Sequence, residues 1–138
     1  DALDYIGVQA YFPISESSAP STEDLVRGWD RHIEALSGVA TRAERPVLFT
    51  EVGYRSVHTA AAKPWVWPDR EQQNPADLDT ELQARLYRAL FERFESVPWF
   101  AGAVFWKWHP ERAADRPHGF TPQDKPAETE MRQGFAGR

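Results

Sequence analysis

The sequence has 138 residues, with 16 Lys and Arg against 21 Asp and Glu, four His, no Cys and a net charge of -5. That length holds at most one domain, and 41% apolar content with six Trp describes a chain that buries a core. The acidic balance and the lack of a Lys/Arg cluster argue against nucleic acid or an anionic membrane as partner. Without Cys there is no disulfide, thiolate nucleophile or zinc–thiolate site, so chemistry falls to oxygen and nitrogen groups. The longest apolar stretch runs from Trp99 to Trp106 and is interrupted by Gly102, against the roughly 20 residues a membrane-spanning helix needs. The chain opens on Asp1-Ala2-Leu3-Asp4, with neither an initiator Met nor a basic-then-apolar leader, and reads as a piece of something longer. Its composition fits an extracellular and a cytoplasmic protein equally.

In chain order, Leu3 to Tyr11 is a nearly continuous run of apolar, β-branched and aromatic residues, which predicts a strand covered on both faces. Pro13 and the Ser/Pro-rich stretch from Ser15 to Ser21 end it and open a loop. A helix follows, capped by Ser21 with Asp24 three residues on, its apolar stripe Leu25, Trp29, Ile33 and Leu36, and Gly38 its expected terminator. Pro46 to Val52 is the second strand, apolar until Glu51 near its end and closed by Gly53. Residues 53 to 76 form a long connection holding Trp65 and Trp67, and loops of this length inside one domain are commonly functional. Asn74-Pro75 signals the start of the next helix, with Leu78, Leu82, Leu86, Leu90 and Phe94 along one face and a Glu81–Arg85 ion pair on the other. A third strand, Ala101 to Trp106, follows Pro98, and a last short helix spans Ala127 to Gln133.

Strands alternating with helices predict an α/β fold with a parallel sheet. Three strands alone leave two unpaired edges, so something else should complete the sheet. An open doubly wound sheet and a segment of a (β/α)8 (TIM) barrel both fit this order, and the absence of a Gly-rich phosphate fingerprint favours the barrel. In such barrels the functional face is the C-terminal edge of the strands. The three strands end in Tyr11-Phe12, in Glu51-Val52-Gly53-Tyr54-Arg55 and in Trp106-Lys107-Trp108-His109. A carboxylate, phenols and indoles on one rim suit carbohydrate, whose C–H faces stack on rings while its hydroxyls take hydrogen bonds.

Pattern alone leaves each of these residues two readings. Glu51 is a reactive carboxylate or a solvated strand-end one, Tyr11 a functional or a core-edge phenol, and Trp106 a sugar floor or barrel packing. Trp108 and His109 line the same rim or are structural; Trp65 and Trp67 stack sugars or pin the long loop. Tyr54 and Arg55 shape the electrostatics of Glu51, or Arg55 makes a surface salt bridge. His32, His58, His109 and His118 have no metal-site spacing, so no metal or other cofactor is predicted, and there is no Gly-x-Ser-x-Gly elbow.

The stretches Asp4 to Pro13, Pro46 to Ser56 and Gly102 to Trp108 resemble the last three strands of the family 113 glycoside hydrolases, which are (β/α)8 β-mannanases of the retaining clan A. Asp79 to Phe91, with Gln83-Ala84-Arg85, and Gly119 to Ala127 are also similar. The resemblance implies that residues 1–138 are the C-terminal segment of one barrel domain, its strands six to eight. It implies Glu51 as the nucleophile, Tyr11 as the group that hydrogen-bonds and orients it, and Trp106 as the floor of the subsite beside the scissile bond. Trp108, Tyr54, Trp65 and Trp67 are further candidate substrate contacts.

The clan's acid/base is a Glu following an Asn on the fourth strand, and the sole Asn here, Asn74, precedes Pro75. Glu16, Asp69, Glu71 and Glu111 have no context that recommends them as substitutes. The expected function is therefore a retaining glycosidase segment acting on β-1,4-linked mannan or a related β-glycan, inactive by itself. Its expected partner is a missing N-terminal barrel half, from the same gene or a companion chain. A non-catalytic carbohydrate-binding or half-barrel scaffold is the alternative.

Overall fold

Three apolar runs, Ile6–Gln9 (β1), Val47–Val52 (β2) and Phe100–Phe105 (β3), pair into one parallel sheet in the order β1-β2-β3. The computed structural model describes residues 3–67, 74–111 and 117–137. Parallel neighbours need crossovers. Helices α1 (Thr22–Gly28) and α2 (Asp30–Ala43) join β1 to β2, α3 (Thr80–Phe94) joins β2 to β3, and α4 (Pro126–Ala136) follows β3. The α/β class and parallel sheet agree with the sequence pattern. Among the described residues no helix is long and apolar enough to cross a membrane.

The stripe expected on one helix is divided between two. Ser21 Oγ accepts the Asp24 N–H at 3.1 Å while Asp24 accepts the Ser21 N–H at 3.0 Å, the reciprocal cap the sequence predicts. Helix α1 then stops at Gly28, and Trp29 is the joint before α2. Gly38 does not end the second helix. It continues to Ala43, where Glu44 turns into the left-handed region (φ 51) and its N–H takes up the carbonyls of Ala40 and Thr41.

The next helix also starts later than Asn74-Pro75 suggests. Asn74 caps only a 3-10 turn over Pro75–Asp77, Leu78 stays extended to bridge Val57, and Asp79 caps α3 by accepting the Leu82 N–H at 2.7 Å. Arg85 donates to the Pro20 carbonyl instead of pairing with Glu81, which ties α3 to the start of α1. Leu82, Leu86, Leu90 and Phe94 are buried as the stripe requires, whereas Leu78 is 40% exposed.

The core lies on one face of the sheet only. Trp29 stacks on Phe49 at 6.0 Å, and Phe94 meets both rings edge-on at 5.1 Å. Phe100 closes the cluster at 4.9 Å from Phe49 and 4.6 Å from Phe94. Each such burial is worth about 2–3 kcal/mol. Gly7, Gln9, Thr50 and Val104 are exposed on the strands, so within residues 1–138 one face of the sheet is covered and the other is open. The cause is topological: strands laid down in sequence order with crossovers of one hand put their helices on one side.

Candidate active site

The placement of Glu51 depends on an irregularity in β2. On one side Val8 pairs with Phe49 and Gln9 with Glu51; on the other Phe49 pairs with Ala103 and Val52 with Phe105. Thr50 is thus one residue too many against both neighbours, a bulge. Val47, Phe49 and Val52 are fully buried, whereas Thr50 is exposed and Glu51 half-buried. Strict alternation would have sent Glu51 into the core with Val47 and Phe49. The extra residue puts Glu51 on the open face beside Thr50, whose methyl lies over Gly7, 3.0 Å from where a Cβ there would be.

On that face Glu51 is held by hydrogen bonds. The Tyr11 hydroxyl donates to Oε1, and Gln9 Nε2 lies 3.4 Å from Oε2. Burial, the bond to Glu51 and the carboxylate charge raise the Tyr11 pKa, in that order. Tyr11 therefore stays a donor throughout the ordinary pH range. The Glu51 carbonyl accepts the Ala10 N–H at 2.7 Å, and the Trp106 N–H donates to the next carbonyl, that of Val52, also at 2.7 Å. The ends of β1 and β3 are thus tied to the β2 backbone on either side of it, at Glu51 and at Val52. Gly53 makes the closest approach: a Cβ there would sit 1.9 Å from the Trp106 carbonyl oxygen.

From Tyr11, which holds this carboxylate, the rings of Phe120, Trp67 and Trp106 continue as a chain, with successive centroids 6.2, 5.1 and 6.5 Å apart. Trp106 is half-buried, with the Lys107 ammonium 5.7 Å from its ring centroid and a cis peptide bond to Lys107. Trp67 is 62% exposed and Trp65 51%. Two expected contacts lie elsewhere. Tyr54 is fully buried against Tyr87, centroids 5.3 Å apart, so its ring is withdrawn from any surface ligand. Trp108 faces α4, lining an open cavity of about 480 Å³ with Glu128, Met131, Arg132 and Phe135, away from the Tyr11–Trp106 chain. Glu16 and Glu111 are exposed, and Asp69 and Glu71 lie outside the described residues.

Sequence reading missed the groups that fix the loops over this rim. Gln83 is fully buried on α3; its Nε2 donates to the carbonyls of Tyr54 at 2.8 Å and Phe120 at 3.1 Å, while its Oε1 accepts from Ser56 Oγ at 2.8 Å. Lys125 Nζ reaches Ser56 Oγ at 3.0 Å. Gln123 clasps the backbone of His109, accepting its N–H at 2.7 Å and donating to its carbonyl at 2.9 Å. Among the described residues Arg55 has no salt-bridge partner: it is 7% exposed and donates to the carbonyls of His118 at 3.3 Å and Val66 at 2.9 Å. Burial lowers its pKa, partly offset by the charge of Asp77. The available signal was a Gln on the apolar side of a helix, which stays there only if its amide is satisfied.

The family model described as Glycoside Hydrolase Family 113 matches residues 1–125. A solved complex of a family 113 β-1,4-mannanase superposes with a TM-score of 0.76 at 25% identity, over 99% of this chain and 40% of that one. The β-mannanase AaManA from Alicyclobacillus acidocaldarius, in complex with ManMIm, superposes with a TM-score of 0.71 at 29% identity, over 98% of this chain and 39% of that one. The chain therefore spans about 40% of the length of the structures it matches. No curated protein matches the sequence significantly. With the family model covering well over half of its residues, the chain belongs to glycoside hydrolase family 113.

Proposed function

We propose that residues 1–138 are the C-terminal segment of a (β/α)8 catalytic domain, its strands six to eight, and that the domain is a retaining hydrolase of β-1,4-linked mannan or a related β-glycan. The observation that carries this reading is the Tyr11 hydroxyl donating to a Glu51 carboxylate that a bulge turns onto the open face of the sheet. The ionised Glu51 attacks the anomeric carbon as the bond to the leaving oxygen breaks, giving a glycosyl ester. The second carboxyl group protonates that oxygen, then takes a proton from the water that hydrolyses the ester. Tyr11 orients the nucleophile and keeps one oxygen solvated while the other attacks. Trp106 floors the subsite next to the scissile bond, and Trp67 offers a ring further out.

The acid/base group comes from the other part of the barrel, in the same polypeptide or a companion chain, whose strands pair with the outer edges of β1 and β3. Residues 1–138 by themselves are expected to be inactive. The reading is tested by treating the complete enzyme with a 2-deoxy-2-fluoro-mannosyl fluoride, which slows breakdown of the ester. Peptide mass mapping is expected to place the label on Glu51. A label on another carboxylate overturns the assignment, and sugar binding without any turnover in the complete wild type favours a carbohydrate-binding scaffold.

A further inference from the structure

Arg55 combines two features that rarely occur together. It lies four residues past Glu51, almost fully buried, and its guanidinium is spent on two neutral carbonyls, those of His118 and Val66. Burying a cation is costly unless its geometry is used. The two carbonyls belong to different loops, one after β2 and one after β3. Val66 precedes Trp67, and His118 stands two residues before Phe120. The rings that follow, Trp67 and Phe120, pack together at 5.1 Å, and Phe120 meets Tyr11 edge-on at 6.2 Å. The guanidinium fork therefore fastens an exposed indole to the ring that borders the group holding Glu51. An ammonium, a single point of charge on a flexible stem, does not hold two such carbonyls in one plane.

We infer that Arg55 is a positioning residue that fixes the Trp67 indole as an outer sugar platform and so sets a preference for longer glycan chains. This rests on the function proposed above. The test compares wild type, Arg55→Lys, Arg55→Met, Trp67→Ala and the Arg55→Met/Trp67→Ala double variant of the complete enzyme, on manno-oligosaccharides of increasing length and on a short aryl β-mannoside. Arg55→Met is expected to raise KM about tenfold for the longest oligosaccharide with kcat little changed, the mark of lost binding common to ground and transition states. The effect shrinks as the substrate shortens. Trp67→Ala gives the same profile, and the double variant loses no more than either single one.

Acrylamide quenching of tryptophan fluorescence is expected to rise in Arg55→Met. If that variant does not fold, Arg55→Lys carries the test, with a smaller loss of the same length dependence. A loss equal at all lengths, additive single variants, or an Arg55→Lys enzyme identical to wild type overturns the inference alone. A wild type that turns over no β-mannoside defeats the proposed function, and this inference with it.

Discussion

The two faces of the sheet divide the work of the molecule. Toward the helices, Val47, Phe49 and Val52 meet Trp29 and Phe94, all of them 2% exposed or less. Toward the other side stand Gly7, Gln9, Thr50, Glu51 and Val104, exposed or half-buried, where the order comes from hydrogen bonds, Tyr11 and Gln9 on Glu51. Changes on the covered face should therefore be read in stability and changes on the open face in chemistry, with little crossover.

The largest separation is expected from Glu51→Gln. Turnover in the complete enzyme should fall on the order of 10⁶-fold, as when a serine protease loses its nucleophile, with sugar binding by titration calorimetry largely kept and the unfolding midpoint unmoved. Trp29→Ala should do the reverse, costing about 3–5 kcal/mol in urea unfolding through the cavity it leaves beside Phe49 and Phe94. A residual activity per folded molecule well below wild type would break the comparison.

Tyr11→Phe removes a hydrogen bond to a charged acceptor, worth about 1.5–3 kcal/mol, so kcat should drop roughly 10–100-fold with little change in melting temperature. The sign of its pH dependence follows from the same bond. Because the folded protein raises the Tyr11 pKa, the protonated donor's contribution is complete below the unfolded pKa near 10 and is lost only as pH climbs from there toward the folded value. A kcat profile that falls with a Tyr11-dependent pKa near neutrality would contradict that. The smallest effect is Ser21→Ala, about 1 kcal/mol from the lost cap.

The sequence was most legible where local chemistry decides the outcome. The Ser21 cap, the Leu82–Phe94 stripe and the parallel order of strands all follow from short-range pattern. It was less legible where a tertiary contact overrules the pattern. A stripe continuous through Leu25, Trp29 and Ile33 conceals the break after Gly28, a glycine whose backbone runs so close to Ile14 that a Cβ there would fall 1.9 Å from its carbonyl oxygen. Asn74-Pro75 carries a good helix signal, yet Leu78 is drawn into a bridge with Val57 and the helix waits for Asp79.

For the candidate site, the rim residues were found by reading strand ends, but their orientation was not. Tyr54 and Glu51 lie close together in sequence and point to opposite environments. Arg55 reads as a surface cation because its partners, the His118 and Val66 carbonyls, carry no sequence identity. Backbone acceptors of this kind are invisible to any reading of side-chain types.

Thr50 gives β2 two reading frames. Residues before it send the odd positions to the core, residues after it the even ones, so that the Glu51 carboxylate is presented outward, and the switch costs a single inserted amino acid. Read as a plain zigzag without that offset, the same letters would spell Glu51 into the hydrophobic interior and Val52 out to the open face, as a message is misread when its frame is lost.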